Sequence, residues 1–355
     1  MRSTHASLTL PIVLAALVLP AAAHGQTPPK QPDNPYPYAA EEPKANGFSL
    51  AKGADYLDGV ARFWMRSNSC GACHANFAYV MARPVLKERS TSWVSETRDF
   101  LEARKPDGRF GFHTYSVGIA FSLAWDDARA GDKLQPATLK ALRRMWTLQR
   151  ADGTWGRLGC GDTLPSENDR HYTMVLAALA TAVAPEEYAR RAEAQDGLTK
   201  LRRYFAKYSP RNLHDNALVL WASLHLDGLM TAAERVATIK ALLARQKKDG
   251  GWSFAGLTDA SKTPTVGKPP SDGYSTAFSI YVLRQAGVSA TRPEISRGVR
   301  WLRDNQRASG RWFTPSHAGD DPTEGGVGTR GLYVQNLGTA FALLALKACE
   351  ESSLP

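Results

Sequence analysis

The stretch Gln246-Lys247-Lys248-Asp249-Gly250-Gly251-Trp252 closes a basic amphipathic segment, turns on glycines and sets down a Trp. The pattern recurs at Gln149-Arg150-Ala151-Asp152-Gly153-Thr154-Trp155 and at Gln306-Arg307-Ala308-Ser309-Gly310-Arg311-Trp312. A degenerate copy is Arg104-Lys105-Pro106-Asp107-Gly108-Arg109-Phe110. The aromatics fall at 110, 155, 252 and 312, which are 45, 97 and 60 residues apart. One unit therefore lacks the turn and another carries an insertion. A repeat of about 50 residues marks stacked helical hairpins, because no single hairpin can bury its own apolar face.

Between these turns the helical period dominates, and no stretch reads convincingly as a strand. Charged amphipathic helices are expected at about 49–67, 89–104, 136–150, 192–208, 231–247 and 291–306. Helices rich in Ala, Ser and bulky apolar residues are expected at about 74–86, 113–128, 169–184, 213–228, 272–287 and 333–349. A helix apolar nearly all round must be buried, and a charged amphipathic one covers it. Six such pairs predict an all-α (α/α)6 toroid, six inner helices ringed by six outer ones, with an apolar-walled cavity and a polar rim. In each turn the Gly can adopt the left-handed conformation that ends a helix. The Trp folds back as an apolar anchor whose indole N–H requires a partner.

This repeat resembles the QW motif of the terpenoid cyclase and protein prenyltransferase superfamily, which includes the squalene–hopene cyclases. The resemblance implies an α/α toroid whose inner-helix ends open on a central cavity. It does not by itself carry an activity. Class II cyclases protonate an isoprenoid with a DxDD motif. The matching stretch is Asp272-Gly273-Tyr274-Ser275, where Tyr274 and Ser275 occupy the two later Asp positions. The family's proton donor is therefore missing. The zinc-binding Asp-x-Cys of protein prenyltransferases is absent as well. Gly159-Cys160-Gly161 matches three residues of a thioester core, but Thr163 stands where the thioester Gln belongs. The acidic pair Asp126-Asp127 reads as a solvated helix end.

Residues 1–25 have a charged start (Arg2), an apolar run over Leu8–Leu19 and small residues at Ala21–Ala23, as in a secretory signal peptide. Residues 26–46, rich in Pro and charge, are expected as a disordered leader, with the toroid spanning 47–355. The expectation is an exported, periplasmic or secreted protein with no transmembrane segment. The formal charge of +10 fits a solvated basic exterior, peripheral contact with an anionic membrane or an acidic partner. No basic run interleaved with aromatics points to nucleic acid.

The first repeat replaces its Gln-to-Trp turn with Cys70-Gly71-Ala72-Cys73-His74. Cys-x-x-Cys-His is the attachment motif of c-type haem, with His74 as iron ligand. Two other readings stay open. One is a Cys70–Cys73 disulfide or redox thiol pair, favoured by export. The other is zinc held by these cysteines with Cys160 and His171. His74, His113, His171 and His214 each open an apolar helix in successive repeats. Tyr115, Glu167, Asp169, Tyr172, Asp215, Asp272, Tyr274 and Asn336 fall near the same level. These positions are candidates for a cavity rim, with Asp169 and His171 as acid/base candidates; helix capping is the plainer use of such residues. The segment from Cys160 to Tyr172 resembles exported squalene-cyclase-like bacterial proteins that carry Cys-x-x-Cys-His followed by Ala-Arg-Pro, here Ala82-Arg83-Pro84. The expected function is a cyclase-like toroid without the DxDD acid. It would bind an apolar, isoprenoid-like ligand and carry a haem c or metal centre; any catalysis would be isomerase- or lyase-like, or redox. The alternative is a non-catalytic electron-transfer or binding module with a redox partner.

Overall fold

In this computed structural model the described residues are 36, 41–68, 76–86, 92–104, 112–131, 133–155, 171–258, 271–315 and 327–350, with the side chains of 67–68, 92–93, 112–114 and 327–333 left aside. Among them, thirteen helices and two isolated bridges make an all-α protein. The six outer helices are α1 (Leu50–Asn68), α3 (Ser92–Ala103), α5 (Pro136–Thr147), α7 (Ala192–Lys207), α9 (Ala232–Ala244) and α12 (Pro293–Asp304). The six inner helices are α2 (Asn76–Ala82), α4 (Phe112–Ala130), α6 (Tyr172–Val183), α8 (Leu213–Ser223), α11 (Gly273–Gln285) and α13 (Val327–Glu350). A single turn, α10 (Phe254–Leu257), is added after the Trp252 motif.

The inner helices pack in the cyclic order α2, α4, α6, α8, α11, α13 and back to α2, so the ring closes. Outer helices such as α5 and α12 each lean on two successive inner ones. Helix starts are fixed locally. Thr231 and Glu234 form a reciprocal capping box at α9, and Pro136 and Pro293 open α5 and α12 where a missing N–H costs nothing.

The repeated turn explains how neighbouring repeats are joined. The indole Nε1 of Trp155, Trp252 and Trp312 donates to the carbonyls of Met145, Leu242 and Leu302, at 2.7, 2.8 and 2.7 Å. Gln149, Gln246 and Gln306 use Nε2 to reach the next outer helix, donating to the carbonyls of Gly197, Glu294 and Ser49. Gly153, Gly250 and Gly310 hold φ of +86°, +92° and +96°. A side chain at any of them would run into backbone of the next outer helix, at Lys200, Arg297 and Lys52.

Three features differ from the sequence reading. Residues 41–46, assigned to the leader, are held against the last turn. Ala45 N donates to Gln306 O, and Arg311 pairs with Glu42 at 2.7 Å. Asp126 and Asp127 are not a solvated end, since Arg98 contacts both at 2.6 and 2.8 Å and Asp127 accepts from Gln135 N.

The third concerns the expected cavity. Trp221, on α8, is 1% exposed and meets Phe121 and Trp125 of α4, Tyr281 of α11 and Phe341 of α13, with ring centroids 5.7–6.4 Å apart. Neither α4 nor α13 is a ring neighbour of α8, so these contacts cross the barrel. At that level the centre is packed with aromatic side chains, which fill the space efficiently.

Candidate functional site

The inner helices begin at one end of the barrel, and a group of buried polar residues lies there on α8, α11 and α13. Asn212 caps α8 by accepting from Asp215 N at 2.8 Å. The fully buried Asp215 carboxylate in turn accepts from Arg211 N at 3.0 Å. His214, the second residue of α8, turns toward α11, and its Nε2 lies 2.7 Å from the Tyr274 hydroxyl. The imidazole also packs on Phe254 and Phe278. His214 and Tyr274 are 0% and 1% exposed, so this pair sits beneath the surface.

Asp272 caps α11. One carboxylate oxygen accepts from Ser275 N and the other from Phe254 N, each at 2.8 Å. Burial pushes its pKa from 3.8 up to about 6, against the pull of those backbone hydrogen bonds. Tyr274 N donates to Thr314 Oγ1, and Thr314 N donates to Gln335 Oε1. Asn336 is fully buried beside it. Thr276 and Thr339 accept the backbone N–H of Trp252 and Trp312, so the motif turns are pinned to the inner helices as well as to the next repeat.

Of the expected rim residues, the structure brings His214 and Tyr274 into direct contact and joins Asp272 to them through Phe254. Asn336 lies at the same level, because Gly338 approaches Tyr274 N. His171 goes elsewhere. It is 0% exposed and packs against Tyr204 and Phe205 of the outer helix α7, at 5.4 and 5.6 Å. Tyr172 and Tyr115 are half-buried, and the Tyr115 ring lies 6.3 Å from Phe77. Cys70, Cys73, His74, Glu167 and Asp169 lie outside the described residues, as does the side chain of His113. Among the described residues no group of three or more His, Cys, Asp or Glu side chains could hold a metal ion.

The sequence reading missed Asn76. It opens α2 two residues after His74, is 0% exposed, and among the described residues neither its Oδ1 nor its Nδ2 has a hydrogen-bond partner. Its signal was available: α2 is Asn-Phe-Ala-Tyr-Val-Met-Ala, otherwise apolar but for a Tyr. Arg83, in the Ala-Arg-Pro stretch, is structural. It makes a two-pronged pair with Asp58 of α1 at 2.8 and 3.2 Å, and Tyr79 donates to the same carboxylate.

Residues 187–346 match the family model of the squalene-hopene cyclase C-terminal domain, which spans α7 to α13 and two of the three full turns. A solved polysaccharide lyase superposes with a TM-score of 0.51 at 13% identity, over 85% of this chain and 97% of that one. At that identity the likeness concerns the fold alone. No curated protein sequence matches the chain. Where a class II cyclase carries its acid, this chain has Tyr274 bonded to His214 and Ser275 capping from its backbone N–H. No helix among the described residues is long and apolar enough to cross a membrane.

Proposed function

We propose that this chain is an exported redox protein that uses a cyclase-type toroid as its scaffold and holds haem c through Cys70, Cys73 and His74. The observation that carries this reading is Asn76. A buried carboxamide with neither end bonded costs on the order of 1–3 kcal/mol for each unsatisfied group. Such a cost is offset when a polar partner docks against it, and Asn76 lies two residues beyond the Cys-x-x-Cys-His stretch. The donor set suits the group as well: two thiols spaced for two thioether bonds, and an adjacent imidazole for the iron. The haem would supply a one-electron couple. The chain's part is to attach it, to offer Asn76 as a hydrogen-bonding group, and to exclude water with the packed helices α2 and α4.

An isoprenoid-like ligand on the barrel axis is disfavoured by the Trp221 cluster, which such a ligand would have to displace. Protonation-initiated cyclisation is disfavoured by Tyr274 and Ser275.

The test is an absorption spectrum of the protein exported from a host that makes c-type cytochromes. A Soret band, and haem that stays with the polypeptide after denaturation, are expected. Both should be lost in Cys70→Ala/Cys73→Ala. Protein without covalent haem overturns the reading, and metal and thiol analysis then separates a zinc site from a disulfide.

A second reading is favoured by the 2.7 Å contact between His214 and Tyr274. A Tyr–His pair can transfer a proton, as elimination of an acidic polysaccharide requires. The lyase-like fold and the positive charge suit that chemistry. Burial of both rings counts against it, because substrate must reach the reacting oxygen. Incubation with anionic polysaccharides, following the absorbance of the unsaturated product, decides it. Activity that disappears in Tyr274→Phe supports this reading, and its absence removes it.

A further inference from the structure

Charge is distributed unevenly around the ring. Residues 41–68, α1 with the segment before it, carry four Lys/Arg against four Asp/Glu. Residues 231–250, which form α9 and its turn, carry five against two, and residues 291–312, which form α12 and its turn, carry six against two. Two neighbouring outer helices thus hold a net of seven positive charges in a chain of +10, against a net of five for residues 136–155 and 192–208, which hold α5 and α7.

The two helices are joined side by side. Arg297 of α12 donates to Gln246 Oε1 at 2.6 Å, and Trp301 Nε1 approaches Asp249 Oδ2 at 3.3 Å. Elsewhere some exposed cations are matched: Arg143 pairs with Glu193, Arg190 with Glu187 and Lys200 with Asp196, each at 2.6 Å. On this face Lys240, Arg245, Lys248 and Arg300 are exposed, and among the described residues none of them has an acidic partner.

The same face carries apolar surface. Val236 of α9 is 66% exposed, the one large hydrophobic side chain so exposed among the described residues. Ala233, Ala237 and Ala244 are exposed on the same helix, while Ile239, Leu243 and Trp301 are half-buried. Unmatched cations on the same pair of helices as an exposed Val and a half-buried, amphipathic Trp are what an anionic lipid surface attracts. Headgroup charge is met by Lys and Arg, and the boundary of the acyl region by Val and Trp. A soluble polyanion would be served by the cations alone and would give the exposed Val236 no role.

We propose that the α9–α12 face docks the folded protein peripherally on an anionic phospholipid surface. This goes beyond the redox reading and does not depend on it. The test is sedimentation of the intact exported protein with vesicles of phosphatidylglycerol and phosphatidylcholine in equal parts, against vesicles of phosphatidylcholine alone. Binding to the mixed vesicles, weakening steeply with salt, is expected. The variant Lys240→Glu/Lys248→Glu/Arg300→Glu should bind on the order of 100-fold more weakly, since each basic residue near the surface contributes about a five-fold factor. The variant Arg143→Glu/Arg190→Glu/Lys200→Glu changes the net charge equally and should lose far less. Val236→Ser should bind a few-fold more weakly even at high salt. Unchanged thermal unfolding shows that each variant is folded. Equal losses in the two triple variants, equal binding to both vesicle types, or no binding to either overturns the proposal. Binding to dextran sulfate but not to vesicles overturns it in favour of a soluble polyanion.

Discussion

Gly310→Ala tests the way this ring is held together. Two effects combine at that residue, and a second glycine separates them. Gly287 has φ +83° with nothing near the position a Cβ would take, whereas Gly310 has φ +96° with the Lys52 carbonyl directly in the way. At both sites a side chain in the left-handed region costs about 1–2 kcal/mol. The gain from restricting the unfolded chain, about 0.4–1 kcal/mol, offsets part of that. Gly287→Ala should therefore destabilise by about 1 kcal/mol or less. At Gly310 the backbone must also move away from Lys52, an overpacking cost of about 1–3 kcal/mol. Moving it disturbs the bonds from Gln306 Nε2 to Gly310 O and Ser49 O, each contributing about 0.5–1.5 kcal/mol. The expected total is about 3–5 kcal/mol. Gly153→Ala and Gly250→Ala, whose Cβ atoms would lie 2.6 and 2.9 Å from the Lys200 and Arg297 carbonyls, should fall between the two in that order. Urea unfolding followed by far-UV circular dichroism reads these as lowered midpoints. A Gly287→Ala variant as unstable as Gly310→Ala would show that backbone conformation alone matters and that the close approach between repeats does not.

Trp221→Ala removes the ring that bridges the barrel. It should cost about 3–5 kcal/mol and leave an apolar cavity able to take up xenon, which pressurised crystals or xenon-dependent stability would reveal. Trp252→Phe keeps most of the buried area but loses the donor to Leu242 O, and should cost about 1–3 kcal/mol in midpoint-derived stability. Asp272→Asn probes the raised carboxyl. Folded Asp272 keeps its proton up to about pH 6, while the unfolded residue loses it near 3.8. The native state thus binds more protons in that window, and the contribution of this residue to stability falls as pH rises through it. The Asn variant should lack that fall, and an identical pH slope in both proteins would refute the assignment.

The twelve main helices were legible because two periodic patterns alternate without interruption, one charged on a face and one apolar all round. The four-residue α10 was not, because one turn has no periodicity to read. Equivalent register also pointed to His171 and His214 together, yet they face different neighbours. His171 is the residue before α6 begins, and His214 is the second residue of α8. Two positions at about 100° each turn a side chain roughly to the opposite face of a helix. His214 therefore meets Tyr274 of the inner ring, while His171 lies against Tyr204 and Phe205 of the outer one. A period of 50 residues gives the level of a side chain but not its azimuth. The packed axis was illegible for a related reason: Trp221, Trp125 and Phe341 read only as apolar, and that they meet across the ring depends on its closure.

Closure itself follows from the turn that repeats. Gln149 and Gln246 reach a carbonyl 48 residues ahead, on the next outer helix, whereas Gln306 reaches Ser49, 257 residues back. The contact is the same, and only the length of chain it spans differs. A looser tether raises the entropic cost of bringing the ends together as (3/2)RT ln n, so this seam costs about 1.5 kcal/mol more to close than an interface between consecutive repeats. The extra contacts found only there match that deficit. Glu42 pairs with Arg311 at 2.7 Å and accepts from Ser309 N, and its backbone carbonyl accepts from Arg307 Nη1. Hydrogen bonds to charged groups contribute about 1.5–3 kcal/mol. Residues 41–45 thus belong functionally to the last repeat as much as to the first. Shortening the chain to residue 50 should lower stability by more than the loss of so few apolar contacts accounts for.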